Sequence, residues 1–300
     1  MRKPILQTLA LFAALGKPLS SDELLKNVHL ANLKPAFLEH ELDLLTREDL
    51  VVSDGSYITL RNTFSVLGAR EELAHLYDRK LKSVEKAQHA FQYVPFVDFV
   101  LVTGSLAFGT PKPTSDIDVI IGAREGRIFI VRFFASLFLW LLGLRRRRSD
   151  TKRESSNKVC LNHFVTSRAY ELRNPRDLYW ATLYKNTFPI FGDKNSILQF
   201  FEANSWSLRR SNNWSYFLEK KNNPYRKTLE FFLRGGLGNL VERFSRYVQR
   251  WRFEQSIKML KAETYPRIYF GDEELEFHPD TKRIRQYLEE SERIISELTA

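Results

Sequence analysis

One cysteine, Cys160, occurs in the 300 residues, which excludes an internal disulfide and a multi-thiolate metal centre. It lies in the apolar stretch Val159-Cys160-Leu161, where a thiol reads as a structural core group rather than a nucleophile. So few thiols suit a reducing compartment, and a cytoplasmic location is expected. Long uninterrupted apolar runs are also missing. The longest, residues 128–144, contains Arg132 and falls short of the roughly 20 residues that cross a bilayer. It is read as a buried or partner-covered helix; the alternative is membrane-surface contact through residues 128–148, where arginines 145–148 follow the run. At the N-terminus Met1-Arg2-Lys3 precedes an apolar stretch, but Gln7 and Thr8 interrupt it and no small-x-small cleavage site follows, so export is not expected. Internal repeats and low-complexity tracts are absent.

What is present is an ordinary soluble composition, 43% hydrophobic and 27% charged, with a formal net charge of +10. The length allows two or three small domains, each with its own core. Charge is unevenly distributed. Residues 1–92 are balanced, and the basic excess falls mainly in residues 93–175, which favours substrates that carry phosphate, either a nucleotide or RNA.

In residues 1–62, Ile5, Leu6, Leu9, Phe12 and Ala13 recur at helical spacing until Gly16-Lys17-Pro18 breaks the pattern. Ser20 or Ser21 caps a second helix, with Asp22 and Glu23 in its first turn. A third helix is expected from about Leu33 to Glu48, and Asp54-Gly55 between two apolar runs signals a hairpin. This order is similar to a winged helix-turn-helix domain. The helix that would read DNA carries Glu39, Glu41, Asp43, Glu48 and Asp49 against Lys34, His40 and Arg47. Phosphate contacts need basic residues, so a packing or protein-partner role is expected, and DNA is not an expected partner.

Residues 63–92 read as a helical connector with Leu67, Leu73, Leu76, Leu81 and Val84 in register. The central region, residues 93–175, holds a buried strand, Phe99-Val100-Leu101-Val102, followed by Thr103-Gly104-Ser105. After a loop containing Gly109 comes Ser115-Asp116-Ile117-Asp118-Val119. Alternation along a strand sends Asp116 and Asp118 to one face and Ile117 and Val119 into the core. Two carboxylates held that close call for a divalent cation, and hard oxygen donors select Mg²⁺ or Mn²⁺. The Gly-Ser turn lies where backbone N–H groups are free for phosphate oxygens.

Together these residues resemble the signature of the DNA polymerase β-like nucleotidyltransferase superfamily: a hydrophobic residue, Gly, Gly or Ser, a loop, then Asp-hydrophobic-Asp-hydrophobic. The resemblance covers roughly residues 95–170. It implies that Asp116 and Asp118 are the catalytic and metal-binding carboxylates, and that Gly104, Ser105, Gly109 and Ser115 contact or shape the nucleoside triphosphate site, with Ser115 able to brace Asp116. Many members carry a third acidic residue on a later strand; here Asn162 of Val159–Val165 stands there, with His163 pointing away. The other candidates for that role, Asp150, Glu154 and Glu171, lie in loops and none has good spacing. The resemblance therefore implies a magnesium-dependent nucleotidyltransferase that moves a nucleoside monophosphate, most simply AMP from ATP, onto a hydroxyl of a small molecule, protein or RNA. Two alternatives stay open: a catalytically degenerate nucleotide-binding regulatory module, and a winged-helix DNA-binding regulator.

Residues 176–300 read as mostly helical, with helices at 177–184, 196–202, 229–261 and 281–298 and a small hairpin over 268–277. Leu240, Phe244, Val248 and Trp251 mark an amphipathic stripe on the third of these. Trp180, Phe200, Phe201, Trp206, Trp214 and Phe231 are expected in the core. The fold class expected is α+β: the winged-helix-like domain, a central mixed sheet with helices, and a helical C-terminal region.

Overall fold

The computed structural model describes residues 2–147, 150–151, 153–208, 214–258, 266–278 and 281–299. Helix α1 (Arg2–Ala14) buries Ile5, Leu9 and Phe12. Helix α2 (Ser21–Asn27) starts with a capping box in which Ser20 Oγ accepts from Glu23 N at 3.2 Å and Glu23 Oε2 accepts from Ser20 N at 3.0 Å. Helix α3 (Pro35–Arg47) opens on a proline, whose missing N–H has no helical partner to lose. Strands β1 (Val51–Ser53) and β2 (Ile58–Leu60) pair antiparallel, and Asp54 Oδ1 closes their turn by accepting from Ser56 N and Tyr57 N. The connector begins as 3-10 turns over Arg61–Ala69 and becomes regular only in α4 (Arg70–Phe91).

A mixed seven-stranded sheet follows, giving an α+β fold. Its first half comprises β3 (Val97–Thr103), the short helix α5 (Gly104–Phe108), β4 (Ile117–Ala123), α6 (Ile128–Leu141) and β5 (Val159–Val165). Next come α7 (Leu178–Asn186), β6 (Phe188–Gly192), α8 (Lys194–Ala203), β7 (Leu218–Glu219), α9 (Pro224–Phe232) and α10 (Gly236–Lys258). The chain ends with β8 (Arg267–Phe270), β9 (Glu274–His278) and α11 (Lys282–Thr299). The strand order is β7-β6-β3-β4-β5-β9-β8, with β4–β5 and β6–β7 parallel and the other pairs antiparallel. Phe99, Leu101 and Ile120 face a core shared with α1, α7 and α8; Val100, Val102, Val119 and Ile121 face a second core under α4 and α6. Each such fully buried side chain contributes about 1.5–3 kcal/mol.

Several expectations are corrected. Four of the seven strands lie after residue 175, so the C-terminal region completes the sheet. Strand β6 is short and contains Pro189, which costs a ladder donor and hides the strand from pattern reading. The 268–277 hairpin is not separate but pairs through β9 with β5. The helix expected over 229–261 is two helices, broken around Gly235-Gly236; residues 259–261 lie outside the described residues. Phe231 is exposed.

Helix α10 carries its apolar stripe outward. Leu240, Phe244 and Trp251 point to solvent, and the buried face carries Gly238, Glu242, Ser245, Gln249 and Phe253. Polar groups are buried because α6 needs partners for its first turn. Glu242 Oε1 accepts from Phe129 N at 3.0 Å, and Oε2 from Ile130 N at 2.8 Å. Gln249 Nε2 donates to Phe129 O at 2.9 Å, and Gln249 Oε1 accepts from Arg132 at 3.0 Å. Glu242→Ala would strand two buried donors, and urea denaturation is expected to show a loss of about 2–5 kcal/mol, with Glu242→Gln, which keeps one acceptor, in between.

Candidate functional site

Strand register gathers the site at one end of the sheet. Thr103, the last residue of β3, pairs with Asp118 across the antiparallel ladder, and Asp118 pairs with Cys160 across the parallel one. Ile117 and Val119 are fully buried, leaving Asp116 and Asp118 on the other face. Gly104 follows Thr103 with φ +68°, and a Cβ there would collide with the Asp118 carboxylate. Glycine is therefore required twice, for the left-handed turn and for the close approach. Ser105 lies in the first turn of α5, where Thr103 makes no side-chain cap bond. Gly109 ends α5 with φ +71°, and its N–H donates to Leu106 O at 3.1 Å. Ser115 Oγ bonds the Lys112 backbone, donating to O at 3.0 Å and accepting from N at 3.2 Å, so it shapes the loop rather than touching Asp116.

The electrostatics are those of a compressed anionic pair. Burial, and next the Asp116 charge, push the Asp118 carboxyl up to about 8 against the opposing pull of Arg146 and Asn162. Arg146, from the arginine run, donates to Asp116 Oδ2 and reaches Cys160 Sγ at 3.4 Å. Lys80 of α4 is buried and donates to Ser115 O at 2.5 Å and Asn157 Oδ1 at 3.2 Å. Burial lowers its pKa, while Asp116 opposes that shift. The Cys160 thiol is pushed well above its ordinary value, by burial first and then by the two carboxylates, so it stays protonated.

No carboxylate takes the third position among the described residues. Asn162 occupies it, donating from Nδ2 to Asp118 Oδ1 at 3.1 Å and lying 3.3 Å from His278 Nδ1. Its Oδ1 is buried with no hydrogen-bond partner. His163 is not turned away as plain alternation would have it: the β4–β5 ladder shifts register after Asp118–Cys160, so His163 pairs with Ile120 on the Asp118 face, with its Nε2 at 3.1 Å from Glu274 Oε1 and its ring 6.3 Å from that of His278. Asp150 is held by Lys158 at 3.0 Å and by Arg147 N at 2.8 Å, Glu154 accepts from Thr151 N, and Glu171 pairs with Arg176. None of the three joins Asp116 and Asp118. Residues 148, 149 and 152, part of the basic loop, lie outside the described residues.

Sequence reasoning did not single out Lys80, Arg146 within its run, or His278. Lys80 did leave a signal, since it sits four residues from both Leu76 and Val84, a lysine on the buried stripe of α4.

Donor atoms of Asp116, Asp118 and Cys160 lie within 4.8 Å of one another. With the thiol protonated, the usable donors are the carboxylate oxygens of Asp116 and Asp118, which suit a hard dication such as Mg²⁺ or Mn²⁺. Comparison with known proteins finds no matching family model, no matching curated protein and no matching solved structure.

Proposed function

We propose that this chain is a magnesium-dependent nucleotidyltransferase of the polymerase β type, transferring a nucleoside monophosphate, most simply AMP from ATP, to a hydroxyl acceptor. The observation that carries the reading is the apposition of Gly104 to the Asp118 carboxylate beside Asp116, which puts a side-chain-free turn against a two-carboxylate edge. Asp116 and Asp118 hold the cation, which when bound offsets charge on the α-phosphate and the leaving pyrophosphate. The first-turn N–H groups of α5 and the Ser105 hydroxyl take terminal phosphate oxygens. Arg146 neutralises Asp116 until cation and nucleotide arrive, and then serves as a counter-charge for phosphate. The test is incubation with α-labelled ATP and Mg²⁺: pyrophosphate release and label on an acceptor are expected, and identical results from wild type and Asp116→Ala would defeat the reading.

The raised Asp118 carboxyl makes cation binding pH-dependent. The folded chain keeps a proton that the unfolded chain loses near pH 3.9, so cation-free stability falls as pH climbs from about 4 through about 8. Mg²⁺ competes with that proton. The rise in melting temperature produced by Mg²⁺ is accordingly expected to be small near pH 6 and to grow towards pH 8.5, and a flat profile over this range in thermal denaturation would contradict the assignment.

Asn162 and the Arg146–Asp116 ion pair also favour a second reading, a module that binds nucleotide without turning it over. Under both readings we assign residues 1–62 as a winged-helix-like unit with a packing role. Supporting contacts are Lys185 to Val28 O at 3.0 Å, Lys17 to Phe108 O at 3.0 Å, and His29 to Thr182 at 3.0 Å.

A further inference from the structure

Helix α10 displays an apolar stripe that the rest of the chain leaves uncovered. Leu237, Leu240, Phe244, Tyr247 and Trp251 follow a three-four spacing along one face and are 56–73% exposed. A monomeric surface rarely leaves so many large apolar side chains together in water. The stripe adjoins a groove of about 410 Å³ between α6 and α10, lined by Phe133, Trp140 and Phe244 and by Arg132, Arg145 and Arg252. Among the described residues, none of these three arginines has a carboxylate within ion-pair distance. They instead repel one another: after burial, the charges of Arg145 and Arg252 lower the pKa of Arg132, and that of Arg252 lowers Arg145. At 3.6 residues per turn, Arg243 and Arg250 fall along one edge of the stripe and Arg252 along the other. Exposed charge on α10 is thus Arg243, Arg250, Arg252 and Lys258 against Glu254, which pairs with Arg250.

We propose that this face docks on an anionic phospholipid bilayer, with the α10 stripe and the exposed end of α6 seated in the interface and the groove arginines on headgroup phosphates. Charge complementarity selects this occupant. A second copy would set Arg243, Arg250 and Arg252 against their own equivalents, whereas a bilayer bearing negative headgroups neutralises them. The aromatic content fits as well, because Trp and Tyr prefer the headgroup level and arginine stems reach from an apolar face to phosphate. No helix among the described residues is long and apolar enough to cross a membrane, so the contact is one of surface. Such docking would hold the site on β3 and β4 near acceptors at the lipid surface.

The test is sedimentation of the full chain with phosphatidylcholine vesicles, with and without phosphatidylglycerol, across a range of salt. Binding is expected to need phosphatidylglycerol and to weaken with salt. Arg252→Ala should lower the partition coefficient about fivefold, since each basic residue near an anionic surface is worth about 1 kcal/mol. Because Phe244 and Trp251 are exposed, the double variant Phe244→Asp, Trp251→Asp should keep its circular dichroism spectrum and lose vesicle binding. The proposal is overturned if anionic vesicles bring down no protein at low salt. It is equally overturned if light scattering shows a dimer that the double variant dissociates, or if single-stranded RNA shifts the protein while vesicles do not bind.

Discussion

Asp118→Asn is expected to abolish nucleotidyl transfer while making the cation-free protein more stable. The wild-type carboxyl lies in a part-buried position beside Asp116, under Asn162 and against Gly104. Ionising it there costs free energy that the unfolded chain does not incur. An amide of the same shape avoids that cost and can still accept from Asn162 through its oxygen. The gain should be absent below about pH 4, where the carboxyl is protonated whether folded or not, and should reach roughly 1–3 kcal/mol above pH 8, where the native carboxyl is ionised. Transfer should fall at least about a thousandfold, because one of two charged cation ligands is gone. Urea titrations at two pH values and a pyrophosphate assay check both halves. A variant less stable at pH 8.5 would show that Asp118 is held by favourable partners rather than compressed against a like charge.

Asn162→Asp is expected to act in the opposite sense on both quantities. It places a carboxylate next to Asp118, on the adjacent parallel strand, where the proposed polymerase β-type reading would put a third acid. If the native site lacks a general base, supplying one should raise the rate of pyrophosphate release by about 10²–10⁴-fold. The cation-free protein should lose stability, since a third negative charge joins the pair and Asp118 loses its amide donor. Mg²⁺ should recover that loss. A variant with unchanged turnover would mean that the acceptor proton leaves by another route. Turnover in the variant and none in wild type would select the nucleotide-binding module as the native state.

Much of the site was legible because its chemistry is local in sequence. A strand, a Gly-Ser turn and an Asp-Ile-Asp strand need only alternation and glycine's conformational range, and the register places Thr103 opposite Asp118. Lys80 and Arg146 were not legible as site residues, since their roles depend on where α4 and the basic loop return to the sheet. Strands β6 and β7 escaped for a different reason: they are short, proline-bearing or only partly apolar, and they exist as strands through their neighbours, whereas the β8–β9 hairpin was legible but its pairing with β5 was not. The apolar stripe of helix α10 was legible, but the side it faces was not. Here the inward face is small and polar, fitted to the first turn of α6, and the apolar stripe faces out.

The central claim, a cation-dependent nucleotide site built on Asp116 and Asp118, is tested most directly by the melting temperature of wild type and Asp118→Asn with ATP, with Mg²⁺, and with both. ATP and Mg²⁺ together are expected to stabilise wild type by more than the two do separately, and Asp118→Asn should lose that excess. An equal excess in the variant, or none in wild type, would contradict the claim.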